Sequence, residues 1–186
     1  MLAPSQDNSA RPASALPFWR ANPPAAAALA IALVCAGAIA GAWFFEFVIK
    51  LKPCPMCLEE RVPYYVGVPL ALIVALAAWR RAPRAIVLIG LAALALLMLW
   101  NASMGVYHSG VEWKLWAGPR ECTGEVVLGP ASDLMKRLQN INLTRCDEAA
   151  WRLFGISLAG YSALISLALT AVALWGAKAG SRRSAP

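Results

Sequence analysis

Four long apolar stretches without a charged residue recur along the chain. A helix needs roughly 20 apolar residues to cross about 30 Å of hydrocarbon, and each stretch approaches or exceeds that length. The sequence therefore predicts an all-α membrane protein, a four-transmembrane-helix bundle. Pro63 and Pro69 lie in the second stretch and predict a kinked or late-starting helix there. The four predicted spans are Ala25–Phe45, Val62–Trp79, Ala85–Tyr107 and Leu153–Ala177.

The segments outside these spans complete the predicted organisation. Residues 1–24 are rich in Ala, Pro and Ser and are predicted to be a disordered leader. A cleaved signal peptide is the competing interpretation, but its apolar core is usually about 7–15 residues, shorter than the first span. The membrane domain covers 25–177, and a short tail follows at 178–186. Two loops, 46–61 and 108–152, lie on one side of the membrane.

Composition and charge support a membrane protein and indicate its orientation. Hydrophobic residues make up 60% of the chain and charged residues 15%, against about 45–50% and about 25% in soluble domains. The net charge of +7 does not arise from a basic patch interleaved with aromatic residues, so no nucleic-acid partner is expected. Three arginines crowd into Arg80–Arg84, the shortest loop. The positive-inside rule places this loop and both termini in the cytoplasm, and the two longer loops outside.

Cysteines occur mainly in the two outside loops. Cys54 and Cys57 lie in the short loop, and Cys122 and Cys146 in the long one. Paired cysteines outside the cytoplasm indicate an oxidising compartment such as a bacterial periplasm. The fifth, Cys35, lies deep in the first span and is predicted to be a small buried hydrophobe.

Two glycines at helical spacing form a second feature of the first span. Gly37 and Gly41 are four residues apart, which is the small-residue spacing of closely packed membrane helices. We expect this face to pack against a neighbouring helix within the bundle.

The Cys54-Pro55-Met56-Cys57 motif can open and close a disulfide with little backbone movement, and such spacing often lowers a thiol pKa. A zinc site would need a second close cysteine pair, and His108 is the only histidine, so no metal is expected. A haem attachment site would need His in place of Leu58. A static structural disulfide remains the main alternative to redox chemistry.

Arg61 follows Cys57 by four residues. If this stretch is helical, both side chains share one face, and the guanidinium would stabilise a Cys57 thiolate. The alternative is an interfacial arginine whose head group extends to the lipid phosphates.

The four spans, the Cys-x-x-Cys motif with Arg61 after it, and the second cysteine pair together resemble the DsbB family. The resemblance covers Trp43 to the end of the fourth span. Members of this family are multi-pass proteins of the bacterial inner membrane that re-oxidise the periplasmic thioredoxin-fold oxidase DsbA with quinone. It implies that Cys57 lies next to the quinone, that Arg61 supports quinone binding and that His108 lies near it.

The resemblance also implies that Cys122 and Cys146 exchange with the partner. Cys146 and Cys54 lie a few residues before the fourth and second spans, so both are held near the same membrane surface and can meet. Cys122 lies far beyond the third span, where it can reach a soluble protein. The predicted order is therefore partner to Cys122, then Cys146 to Cys54.

Apart from the resemblance, the chemistry of the two cysteine pairs itself requires an electron acceptor. Thiol–disulfide exchange passes two electrons from one cysteine pair to the other, and the electrons must then leave. The chain has no GxGxxG or P-loop motif for a soluble cofactor, so an acceptor from the membrane lipid and quinone pool is expected, either ubiquinone or menaquinone. The sequence thus predicts a protein-thiol:quinone oxidoreductase. A non-enzymatic membrane protein with structural disulfides is the alternative.

Overall fold

The computed structural model describes residues 21–119 and 145–182. Four helices there are long and apolar enough to cross a membrane, which confirms the predicted four-helix, all-α architecture. The first helix continues into a π-helical turn, Phe44–Val48. A two-stranded antiparallel ribbon, β1 (Arg152–Leu153) and β2 (Ile156–Ser157), precedes the last helix. The helices are α1 (Pro23–Trp43), α2 (Pro55–Trp79), α3 (Arg84–Glu112) and α4 (Leu158–Arg182).

The helices follow chain order around the bundle, because α2 and α4 each pack against both α1 and α3. Aliphatic side chains from α1 and α3 fill its centre, including Ile31, Leu91 and Leu94, each fully buried. Other large apolar side chains, such as Leu33 and Ile89, face outward. An apolar exterior of this kind is what hydrocarbon tails require of a spanning helix.

Polar contacts at one end of the bundle fix the alternating direction of the helices. The Asn22 side chain accepts from the Ala25 amide at the start of α1 and donates to the Ala78 carbonyl near the end of α2. Arg84 at the start of α3 donates to the Ser181 carbonyl near the end of α4. The segments that carry Cys54 and Cys146 therefore lie together at the opposite end.

Four helix boundaries differ by five residues or more from the predicted spans, including the end of α4, which lies at Arg182 rather than Ala177. α2 begins at Pro55 rather than Val62 and continues through both internal prolines. α3 extends to Glu112, and α4 begins only at Leu158. An uncharged run marks only the hydrocarbon-buried part of a helix, whereas the helix itself continues into charged turns. Proline is favourable at the first helical position, so the Cys-x-x-Cys motif starts α2 rather than preceding it.

The expected packing of the Gly37 and Gly41 face is wrong. A Cβ atom at either glycine would meet no atom of the described residues within 4 Å. The close approach instead occurs at Gly105, where a Cβ atom would lie 2.9 Å from the Ala163 backbone nitrogen of α4. The prediction for Cys35 is confirmed, since it is fully buried.

Candidate redox-active site

The Cys-x-x-Cys motif forms the N-terminal cap and first turn of α2. Cys54 is the N-cap residue, and its Sγ atom accepts a hydrogen bond from the Cys57 amide at 3.3 Å. The two Sγ atoms are 3.0 Å apart, and both cysteines are free. An N-cap side chain satisfies an amide that has no partner within the helix, and here a sulfur atom does so. The pair is thus placed to form a disulfide, but it is reduced.

Cys54, rather than Cys57, is the thiol on which the stabilising contacts converge. The hydrogen bond from the Cys57 thiol lowers the pKa of Cys54 most, and His108 lowers it further, against the opposing effect of burial. Together they bring the pKa of Cys54 to about 4. Cys54 is therefore a thiolate at neutral pH when the pair is reduced.

His108 joins the cysteine pair to two buried carboxylates. Its Nε2 atom lies 3.6 Å from the Cys54 Sγ atom, and its Nδ1 atom lies 2.6 Å from Oε1 of Glu60. Nε2 also lies 3.9 Å from Oε1 of Glu112, one helical turn further along α3. All three residues are almost completely buried. The arrangement is a buried thiol–imidazole–carboxylate chain that can hold and move a proton.

Sequence reasoning missed both carboxylates. Glu60 stands in a run of charged residues that resembled a loop, and Glu112 lies beyond the predicted end of the third span. The available signals were helical spacings: Glu60 follows Cys57 by three residues, and Glu112 follows His108 by four. Both spacings become meaningful only if α2 begins earlier and α3 ends later than the apolar runs indicate.

A cavity of about 620 Å³ opens beside the pair. Its walls are largely apolar and come from all four helices and the segment before β1, and Gly37 and Gly41 form part of the α1 wall. Cys54, Cys57 and His108 face into it. The glycines that were expected to pack against a helix instead leave this space open.

Arg61 lines the same cavity and forms an ion pair with Glu46 of the π-helical turn. The stretch from Cys57 to Arg61 is helical, as the shared-face hypothesis required. Within the described residues the ion-pair partner of Arg61 is Glu46, so its effect on a Cys57 thiolate stays a prediction. The contact with Glu46 fixes the guanidinium at the cavity wall.

Cys146 lies directly beside the motif. It is disulfide-bonded, fully buried, and packs in one cluster with Cys54 and Met56. This cluster agrees with the predicted proximity of Cys146 and Cys54, and exchange between them stays a prediction. Cys122 lies outside the described residues.

Comparison with known proteins identifies close similarity to one family over most of the chain. The family model described as "Disulfide bond formation protein DsbB" matches residues 24–176. A "Disulfide bond formation protein B" of Marinobacter nauticus is 30% identical over 152 residues, covering 77% of this chain and 85% of that protein. A protein of the same name from Verminephrobacter eiseniae is 28% identical over 90% of this chain and 96% of its own.

The similarity extends to a less described protein. An "Uncharacterized protein RP370" of Rickettsia prowazekii is 24% identical over 71% of this chain and 75% of its own length. No solved structure matches this chain.

Proposed function

This chain belongs to the DsbB family of disulfide bond formation proteins, and we propose that it re-oxidises a DsbA-like thioredoxin-fold oxidase in the periplasm at the expense of a membrane quinone. It is a multi-pass membrane protein and an oxidoreductase of disulfide formation. The observation that carries the proposal is that Cys146 packs in one buried cluster with Cys54, which lines an apolar cavity together with Cys57.

Electrons enter through the second cysteine pair. The reduced partner attacks Cys122 of a Cys122–Cys146 disulfide and leaves with its own disulfide formed, so that the second pair carries two electrons. Cys146 then attacks Cys54 of the oxidised motif and releases Cys57. Attack of Cys122 on Cys146 completes the transfer by releasing Cys54. The low pKa of Cys54 favours this last step, because thiols of low pKa are better leaving groups.

The cavity suits the head group of a quinone. Its apolar walls match a lipid-soluble ring, while Arg61 and His108 supply hydrogen-bond donors for carbonyl oxygens. Cys57 faces the same space and is the cysteine proposed to lie next to the acceptor. A bound quinone supplies the sink for the two electrons and two protons that leave when the Cys54–Cys57 disulfide re-forms.

His108 is placed to handle a proton during this cycle. Its Nδ1 atom is held by Glu60, so Nε2 is the atom that faces Cys54. A carboxylate bound to one ring nitrogen fixes the imidazole orientation and raises the basicity of the other nitrogen. We propose that His108 holds a proton as an imidazolium beside the Cys54 thiolate, that it releases this proton as the pair oxidises, and that Glu60 positions it.

The proposed orientation places the arginine-rich turn Arg80–Arg84 and both termini in the cytoplasm of a bacterium. The N-terminal leader and the C-terminal tail then lie inside. The structure supports the relative arrangement, since this turn and the cysteine segments lie at opposite ends of the bundle. The positive-inside rule gives the absolute direction, and the inner membrane is the compartment where quinone and periplasm meet.

The experiment measures oxidation of a reduced thioredoxin-fold partner by the purified protein with ubiquinone or menaquinone analogues. We expect quinone-dependent turnover by the wild-type protein and none by Cys54→Ser or Cys57→Ser. Cys35→Ala is the matched control, since Cys35 is buried in α1 away from the motif, and it should retain activity. Turnover that persists in Cys57→Ser, or a motif that never responds to the partner, would instead favour structural disulfides.

A further inference from the structure

We propose that the reduced motif is also a Zn²⁺ site, in which Cys54, Cys57 and His108 bind the ion and Glu112 completes the coordination. The two Sγ atoms and a ring nitrogen of His108 all lie within 4.8 Å of one another. Two thiolates, an imidazole and a carboxylate are ligands that zinc prefers in proteins. The inference goes beyond electron transfer, because binding requires neither partner nor quinone.

The distances fit a tetrahedral site. With Zn–S bonds of about 2.3 Å and Zn–N bonds of about 2.0 Å, tetrahedral geometry requires about 3.6 Å between sulfur and nitrogen ligands and about 3.8 Å between two sulfurs. The observed separation of Cys54 Sγ from His108 Nε2 is 3.6 Å. The two Sγ atoms, 3.0 Å apart, must separate by less than 1 Å. A small side-chain rotation of Cys57, which is only partly buried, is sufficient.

The contacts of His108 resemble those of a histidine prepared for metal binding. A zinc-bound histidine almost always donates its second ring N–H to a carboxylate or another acceptor, which fixes the orientation of the ligand nitrogen. Here Nδ1 lies 2.6 Å from Oε1 of Glu60, which leaves Nε2 directed at the thiols. Glu60 is thus a positioning residue for the metal site rather than a ligand.

We infer that Glu112 supplies the fourth ligand after a side-chain movement, because its carboxylate lies outside the group of three ligand atoms that are within 4.8 Å of one another. Its Oε1 atom is 3.9 Å from Nε2 of His108, and its side chain faces the cavity. Its Oε2 atom is buried and has no hydrogen-bond partner among the described residues. A buried carboxylate oxygen without a partner is costly, and a cation would remove that cost. The cavity also provides the entry path that an ion needs.

Only the reduced motif can bind, because a disulfide has no thiolate to offer. Zinc is redox-inert, so no electron moves on binding, and the Cys57 thiol loses its proton to solvent as it becomes a ligand. Occupancy therefore holds the pair reduced and prevents its re-oxidation. Zinc would act as a reversible inhibitor that competes with disulfide formation at the same two sulfur atoms.

The test titrates the phosphine-reduced, purified protein with Zn²⁺ in competition with a chromophoric chelator. A Cys122→Ser, Cys146→Ser double variant removes the other thiol pair as a source of binding. We expect one ion per chain in both proteins, and none after oxidation of the motif or in Cys57→Ser. Cobalt in place of zinc should give thiolate-to-metal charge-transfer absorption and intense tetrahedral visible bands. Absence of one-to-one binding by the reduced double variant would overturn the proposal.

Carboxylate variants test the assignment of each ligand. Loss of an outer-shell partner typically weakens metal binding by about 10–100-fold, so we expect that loss in Glu60→Gln. Glu59→Gln is the matched control, since Glu59 is the exposed neighbour on α2, and its affinity should be unchanged. Glu112→Gln should weaken binding and alter the visible cobalt bands. Unchanged affinity and bands in Glu112→Gln would overturn the fourth ligand, and equal affinities of the Glu60 and Glu59 variants would overturn the positioning role.

Discussion

Glu60 of α2 and His108 of α3 are joined by a contact of 2.6 Å between Oε1 and Nδ1, and both side chains are nearly inaccessible to solvent. The contact ties the second turn of α2 to the last two turns of α3. Because it occupies Nδ1, the other ring nitrogen is directed at Cys54. The protonation state of the cysteine pair therefore depends on Glu60, although its sequence neighbour Glu59 is exposed.

The Cys54 thiolate predicts an unusual pH profile for alkylation. Only a thiolate reacts with iodoacetamide, and an ordinary thiol loses about tenfold in thiolate for each pH unit below its pKa. Because the pKa of Cys54 is lowered to about 4, its thiolate should persist as the pH falls and be lost only near pH 4. We expect nearly constant Cys54 alkylation between pH 8 and pH 5. Mass spectrometry of the peptide measures it, and a tenfold fall per unit from pH 8 would contradict the assignment.

Removing the Glu60 charge should raise the pKa of Cys54. Without that carboxylate, His108 is less readily protonated, and a neutral imidazole stabilises a thiolate less well than an imidazolium does. Glu60→Gln should therefore shift the alkylation midpoint to higher pH. Glu59→Gln makes the same substitution at the neighbouring, exposed position of α2, and it should leave the midpoint where it is in the wild-type protein. Equal midpoints in the two variants would exclude this role of Glu60.

Arg61 should affect quinone kinetics more than folding. Arg61→Met removes the charged donor from the cavity wall, and a hydrogen bond to a charged group contributes about 1.5–3 kcal/mol. We expect the apparent quinone KM to rise by about tenfold or more, with the protein still inserted in the membrane. Arg61→Lys should rescue only partly, since an ammonium lacks the planar fork of a guanidinium. An unchanged KM in Arg61→Met would favour the interfacial interpretation.

The second cysteine pair should show an ordered exchange. Cys146→Ser removes the resolving thiol, so on incubation with the oxidised partner the Cys122 thiolate attacks the partner's disulfide and a mixed disulfide between the partner and Cys122 should accumulate. Cys122→Ser should abolish that adduct. Non-reducing electrophoresis followed by mass spectrometry identifies the linked cysteine. An adduct on Cys146, or an undiminished adduct in Cys122→Ser, would reverse the proposed order.

Glycine substitutions should have opposite effects on stability at two positions. Gly105→Ala places a methyl group 2.9 Å from the backbone of α4, and overpacking of this kind typically costs about 1–3 kcal/mol. Gly37→Ala meets open space, and replacing a helical glycine by alanine typically gains about 0.5–1 kcal/mol. Thermal unfolding in detergent should show a lower midpoint for the first variant and a higher one for the second. The same sign for both would contradict the packing described here.

The spans were predictable because unpaired backbone groups are costly in hydrocarbon, so a spanning segment must be a long apolar helix. The length of such a helix can be read directly from the sequence. Helix ends were less predictable. The charged turn of α2 resembled a loop because hydropathy does not distinguish an exposed Glu59 from a buried Glu60. Only the position of α3 opposite the motif gives Glu60 its partner.

The cysteines of the site were predictable from the sequence, but the contacts around them were not. The Cys54–Cys57 spacing, with Arg61 four residues further, indicated redox chemistry near a membrane surface. The contact between Cys54 and His108 joins residues 54 positions apart and depends on the register of α2 against α3. No local pattern encodes that register, so the thiolate was assigned to Cys57 on the basis of its sequence neighbour.

The cap of α2 by a sulfur atom affects the reduction potential of the motif. In the dithiol state Cys54 is an anion at the positive end of a helix, next to a histidine. In the disulfide state the same sulfur is neutral and those interactions are lost. Each 1.4 kcal/mol of preference for the reduced state raises the potential by about 30 mV, so these interactions would raise the potential of a Cys54–Cys57 couple. In the proposed cycle, a higher potential favours the entry of electrons and requires an acceptor of still higher potential to remove them.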